Sequence, residues 1–474
     1  MGPLRFTGAV RAVATLAAGG VAAQAVVFLA RPVLTRLYTP EAWGAVSVFV
    51  ALAGAIATLA TLRYEDAVPL PERDETARDV LALVLACAAV GAGVAALLLA
   101  PRKEIVDALG VAPLASSLPL VPAVALLYAW GNGAQAWLGR AHLWRAVAVA
   151  IGAQSVVTVA VQLSAPEAGA EGLVLGVAAG SAAFALVGVG RALARGALRG
   201  VTASGVARAA RRYRRFPALG LPASALGQVG ARLPPLALGA AFGAGVVGQV
   251  GLATMAVLVP LAFVSDAVGQ VFGVRAAEAY REGALGPLAR RTLGRLLAFV
   301  LPAVGAAALL GPELFAWVFG DEWRSAGVYA RSLAPWLALA AVAPPLTRAF
   351  DAAERQDREV WAGALSAGGV ALGLAVGAWL GTPGAAALAL GVGGGMGRLG
   401  QTALAMSAAG VPVRVTLGAF SRPLAVGALA LAPALVAQTQ SAHALAVVLA
   451  AVGVGACWAW APVWLSPEAP GGER

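Results

Sequence analysis

Apolar stretches of about 20 residues recur from one end of the chain to the other, separated by short polar segments. A helix rising 1.5 Å per residue needs ~20 apolar residues to cross a hydrocarbon core ~30 Å thick. The pattern predicts fourteen such spans. The first six cover about 12–30, 43–62, 80–100, 116–138, 146–163 and 172–190. The next six cover about 217–240, 249–274, 293–311, 333–350, 360–380 and 384–406, and two more lie near 421–437 and 443–465. The runs are uniformly apolar and rich in Ala, Leu, Val and Gly, without the alternation of a transmembrane strand. The expected fold class is therefore an all-α polytopic membrane protein. Arg5, Arg11 and the small triplet Ala23-Gln24-Ala25 mimic a signal peptide. The apolar run continues to Ala30, so the first stretch reads as an uncleaved span.

The spacing also predicts domains. Residues 1–190 form a six-span lobe, 191–216 a basic connector, 217–410 a second six-span lobe, and 411–474 two extra spans with a polar tail. Gln24 and Gly44 recur 204 residues later as Gln228 and Gly248. Six spans per repeat preserve orientation, so the lobes would be parallel repeats about an axis normal to the membrane, with a binding site between them near the midplane.

Composition sharpens this picture. The chain is 60% hydrophobic and 12% charged, against about 25% charged in a soluble domain. A net charge of +11 does not indicate nucleic acid, because the basic residues fall mostly in short loops on one predicted side. With the N-terminus in the cytoplasm, about 27 of the 34 basic residues lie on that side and six lie opposite: Arg31, Arg36, Arg102, Lys103, Arg324 and Arg331. The C-terminus is then cytoplasmic too. The arginine-rich stretch 191–215 becomes a solvated anchor near anionic headgroups, worth about 1 kcal/mol per residue. Cys87 and Cys457 lie far apart in apolar spans, without disulfide or metal spacing.

Ionisable and amide side chains inside spans are functional candidates, because each costs several kcal/mol unless it faces a partner or a wet cavity. Span 7 carries Ser224, Gln228 and Arg232 at i, i+4 and i+8, one stripe on a helix. Pro234 and Pro235 follow and remove backbone donors. Arg232 lies about 21 Å along the span from its basic end. Span 8 carries Asp266 and Gln270, candidates for coupling or gating. Arg398 in span 12, and Gln24 and Arg31 in span 1, complete the candidate substrate-binding set. Asn132, Gln135, Gln154, Thr158 and Gln162 in spans 4 and 5 read as helix–helix glue. A cationic, amphipathic interior suits an anionic head group, since arginine binds phosphate bidentately and stays charged. The chain has no HExxH, GxSxG, Walker or CxxC motif. It reads as no enzyme, with no metal or other cofactor, and any active transport would use an ion or substrate gradient.

RLYTPEAWGAVSVF, followed by LRYEDAVPLP, resembles the N-terminal part of bacterial lipopolysaccharide and exopolysaccharide flippases, the Wzx-like oligosaccharide transporters related to MATE exporters. YRRFPALGLPASALGQVGARLPPLALGAAFGAGVVG and LVPLAFVSDAVGQVF resemble spans 7 and 8 of the same family. The resemblance covers about 1–410. It implies a two-lobed bundle of twelve to fourteen helices that carries an undecaprenyl-diphosphate-linked oligosaccharide across the cytoplasmic membrane by alternating access. It implies as partners the lipid-linked substrate, membrane lipids, and a polysaccharide polymerase or glycosyltransferase. Span 1 lacks the central arginines that the related peptidoglycan lipid flippases place there, which shifts phosphate binding to Arg232 and Arg398. Two other classes stay open. An ion-coupled multidrug exporter would need substrate-facing carboxylates, for which Asp266 is the candidate. An integral polymerase or ligase would need sizeable catalytic loops; the longest outside segment is 312–332, whose Asp321-Glu322 pair reads as a solvated turn.

Overall fold

The computed structural model describes residues 3–440 and 442–464. The side chains of 1–18, of 219, 220, 222–227, 229 and 231, and of 460–464 lie outside the described residues. All regular structure among the described residues is helical. The long helices are α1 Pro3–Leu37, α2 Pro40–Ala60, α3 Asp74–Leu98, α4 Val121–Arg140, α5 Trp144–Ser164, α6 Ala170–Ala194 and α7 Leu221–Phe242. They continue with α8 Ala244–Arg281, α9 Leu285–Phe319, α10 Arg324–Ala352, α11 Gln356–Leu380, α12 Pro383–Ala408, α13 Ser421–Thr439 and α14 His443–Trp464. Among the described residues, 10 stretches are long and apolar enough to cross a membrane; the other long helices are not in that set. The chain is an all-helical multi-pass membrane protein, and its helices pack as two compact units, Met1–Gly248 and Gln249–Arg474.

In the first unit, α2 starts where Thr39 caps the amide of Ala42 and Pro40 sits at the first helical position, a combination that uses up donors orphaned at a helix start. Its face packs on α4, α6 and α7. Where α2 meets the first turns of α8, a methyl on Gly44 would collide with the Ala244 carbonyl. A methyl on Gly248 would collide with the Pro40 carbonyl and lie 3.0 Å from Gly44 N. The helix Ala203–Arg212 lies within the stretch expected to be a solvated connector. It is docked rather than free: Gly205 and Ala209 are buried, and a methyl on Gly205 would strike the Asp79 carboxylate. Arg208, Arg211 and Arg212 stay exposed on its other face.

The second unit corrects the outside loop expected over 312–332. The helix α9 runs through Pro312 to Phe319, and α10 starts at Arg324, leaving only Gly320–Trp323 between them. Pro312 and the charges of the segment read as a break. Yet the carbonyl that Pro312 deprives of an amide is that of Ala308, and Arg331 of α10 donates to it from Nε at 2.8 Å and to Leu309 O from Nη2 at 3.2 Å. Near Pro302, which deprives the Ala298 carbonyl of its amide, a side chain of α14 reaches the adjoining carbonyl. Trp458 Nε1 of α14 donates to Phe299 O at 3.0 Å, with its ring stacked on Phe299 at 4.5 Å. Gly369 and Gly373 of α11 lie against Gly393 and Gly397 of α12, where an added methyl on Gly369 would sit 2.9 Å from Gly397 Cα. Small residues on both helices let the backbones approach in lipid.

Candidate functional site

Arg232 lies eleven residues into α7, roughly 16 Å from its start at 1.5 Å per residue. Its Nε donates to Gln228 Oε1 at 3.0 Å, one turn back, and its Nη1 donates to the Val50 carbonyl of α2 at 3.3 Å. The guanidinium fits because position 54 of α2 is glycine; a methyl on Gly54 would overlap it. A guanidinium has five N–H donors, and two are accounted for here. Two members of the expected stripe, Gln228 and Arg232, are thus joined by a direct hydrogen bond. The third member of the stripe, Ser224, has its side chain outside the described residues.

The other candidates occupy separate places. Arg31 of α1 stacks its guanidinium 4.2 Å from the ring centroid of Trp43 on α2, a cation–π contact, and its buried Nε has no hydrogen-bond partner. Gln24, two turns earlier, is exposed. On α12, Arg398 Nη1 donates to Gln401 Oε1 at 2.9 Å, and Thr402 Oγ1 donates to the Arg398 carbonyl at 2.9 Å. The Nε of Arg398 is buried without a partner. Asp266 and Gln270 of α8 are both exposed, and no ion pair reaches Asp266 among the described residues. Of the amides read as glue, Gln162 fits that reading: its Nε2 donates to Leu173 O of α6 at 3.1 Å, and the Tyr38 hydroxyl donates to its carbonyl. Asn132 and Gln135 do not. They line a cavity of about 1110 Å³ inside the first unit, together with the segment RYED and the α4–α5 turn. Sequence reasoning treated both segments as connectors, although their density of Arg, carboxylate, His and Trp was the available signal.

Comparison with known proteins places these features in a family. A family model described as polysaccharide biosynthesis protein matches residues 33–327, more than half of the chain. The chain belongs to the polysaccharide biosynthesis protein family. The match takes in α2 to α8, and with them Arg232, its partners and the cavity. A search of curated proteins gives no match. Among solved structures, the lipid II flippase MurJ in its inward closed conformation aligns with this polysaccharide biosynthesis protein at a TM-score of 0.70 and 11% identity, over 94% of this chain and 100% of that one. A MATE transporter in complex with MaL6 aligns at a TM-score of 0.52 and 16% identity, over 87% of this chain and 96% of that one. At these identities the likeness is one of fold.

Proposed function

We propose that this polysaccharide biosynthesis protein flips a polyprenyl-diphosphate-linked oligosaccharide across the bacterial cytoplasmic membrane by alternating access, without covalent catalysis. The observation that carries the reading is Arg232, a permanent cation held mid-helix between Gln228, the Val50 carbonyl and the bare surface of Gly54, with donors to spare. Such a group is expensive in lipid and suits a diphosphate. Family membership and a fold shared with a lipid flippase support it. The basic stretch 191–215 then faces the cytoplasm, and the lobes 1–190 and 217–410 rock about the head group while the lipid tail stays in the bilayer. Arg398, Arg31 and Gln24 would add contacts, and polymerase or glycosyltransferase partners would act on either side of the step.

The test is complementation of a deletion strain. Arg232→Ala should leave lipid-linked repeat units unexported, and Arg232→Lys should restore export only in part, because an ammonium lacks the bidentate fork. Full export by Arg232→Ala would remove the role assigned to Arg232. A second reading, ion-coupled export of a cationic small molecule, is favoured by exposed, unpaired Asp266 on α8. It predicts drug resistance on overexpression that is lost in Asp266→Asn; no change in resistance on overexpression would dispose of it.

A further inference from the structure

The cavity in the first unit has a mixed lining. It holds four guanidinium groups, Arg63, Arg78, Arg140 and Arg195, against three carboxylates, Glu65, Asp66 and Asp74. Two of the cations are spoken for: Arg63 pairs with Asp66 at 2.5 Å and Arg140 with Asp74 at 2.9 Å. Arg78 reaches only the Arg199 carbonyl, at 3.3 Å, and Arg195 has no ion-pair partner among the described residues. Glu65 also lies 3.8 Å from Arg63, so Arg78 and Arg195 lack ion-pair partners and the lining carries one guanidinium more than it has carboxylates.

Two amides stand beside the charged groups. Asn132 and Gln135 lie one turn apart on α4, respectively eight and five residues before its end at Arg140. Neither makes an intramolecular hydrogen bond among the described residues, so Asn132 stands roughly 12 Å inside the helix end with its full donor and acceptor capacity unused. Trp137 and Trp144 supply aromatic wall, and His142 sits 6.1 Å from Trp144, ring centre to ring centre. The backbone is bent to make this arrangement. Arg63 and His142 both hold positive φ, 63° and 56°, in a region that side chains other than glycine seldom occupy. Four of the buried polar atoms that lack a partner belong to its wall: Arg63 Nε, Glu65 Oε2, Arg78 Nε and Trp137 Nε1. Strained backbone and unmet polar groups concentrated at one cavity mark a site kept for a ligand.

We infer that this cavity binds a phosphorylated saccharide, its phosphate oxygens at Arg78 and Arg195 and its hydroxyls at Asn132 and Gln135, with a sugar face against the tryptophan wall. Free guanidinium pairs select phosphate, and amides beside an aromatic surface select a polyhydroxylated ring. The site is distinct from Arg232. Its existence rests on the cavity alone; only the identity of its ligand as an entering lipid head group rests on the flippase reading.

Binding to the purified full chain in detergent tests it. The probes are UDP-N-acetylglucosamine, a soluble sugar diphosphate, and N-acetylglucosamine diphosphate on a short polyprenyl chain, read by calorimetry. Saturable binding of either should be about tenfold weaker in Arg78→Gln and in Gln135→Leu, the loss expected for one charge-assisted or buried hydrogen bond. It should be unchanged in Arg208→Gln, which removes an exposed cation from the basic helix. Binding of the polyprenyl probe alone assigns the site to lipid-linked substrate, and equal binding of both assigns it to a free sugar phosphate. Absence of binding, or equal affinity in wild type, Arg78→Gln and Gln135→Leu, overturns the site. Export by Arg78→Gln in the complementation strain reads separately on the flippase, since that function survives if only this cavity has been misassigned.

Discussion

Gly44 and Gly248 close one helix crossing from its two sides. Gly44 abuts the Ala244 carbonyl, and Gly248 abuts the Pro40 carbonyl. Both pairs obey the same 204-residue shift that relates Gly44 to Gly248, since it also carries Pro40 onto Ala244. The contact is thus reciprocal, as a two-fold-related pair of helices requires.

The crossing has no room for a side chain on either glycine. Gly44→Val and Gly248→Val should each lower the thermal midpoint of the detergent-purified protein, by about 1–3 kcal/mol of overpacking strain. Combined, they should cost less than the sum, because the first substitution already separates the backbones. Midpoints equal to wild type, measured by fluorescence-detected thermal unfolding, would contradict the crossing.

Arg331 and Pro312 should be coupled. Arg331→Ala strips the donors from Ala308 O and Leu309 O and should destabilise by about 1–2 kcal/mol, reduced by the solvent exposure of Arg331. Pro312→Ala restores the amide that Ala308 O lacks. In that background Arg331→Ala should cost distinctly less, and a double-mutant cycle with no coupling energy would refute the pairing.

Arg140 fastens the segment between α2 and α3. It donates to the carbonyls of Pro69, Pro71 and Glu72 and to Asp74 Oδ1 at 2.9 Å. Lysine cannot span four acceptors with one ammonium. Hydrogen exchange over residues 70–76 should accelerate about tenfold in Arg140→Lys, the equivalent of ~1.4 kcal/mol of local opening. Unaltered exchange would show the clamp to be dispensable.

Glu65 gives the first unit a pH dependence. It lies in the short turn after α2, and burial pushes its carboxyl above the ordinary value. The Thr61 hydroxyl and Arg63 hold it down, and neighbouring Asp66 adds to the rise. A carboxyl raised in the folded state stabilises when protonated, and that contribution is lost as pH climbs through the folded value. Glu65→Gln should therefore unfold at a higher temperature than wild type at pH 8, and the gap should close towards pH 4. A gap that widens on acidification would reverse the assigned sign.

The helices were legible because lipid demands ~20 apolar residues and leaves few alternatives. Arg232 was legible for the same reason, as a charge where none is cheap, and helical spacing put Gln228 on its stripe without showing the bond between them. Its seat on α2 was not, because Gly54 and the Val50 carbonyl come within reach only through packing. Pro312 misled, since a proline reads as a break until the distant Arg331 is known to serve the carbonyls it frees. The cavity was hidden for a related reason. Arg63 and His142 belong to separate connectors, and only the fold brings them beside Asn132.

The prolines of α9 have a mechanical consequence. An unassisted proline leaves a carbonyl idle and a helix that can flex there. At Pro312 the idle carbonyl, that of Ala308, is taken up from outside by Arg331 of α10, while near Pro302 Trp458 of α14 donates to the adjoining Phe299 carbonyl. α9 is thereby tied to α10 and to α14 by side chains that reach its backbone beside each proline. Pro260 of α8 has no comparable strap on the Ala256 carbonyl among the described residues. That leaves α8 a point of flexure about two turns before Asp266 and about three turns before Gln270.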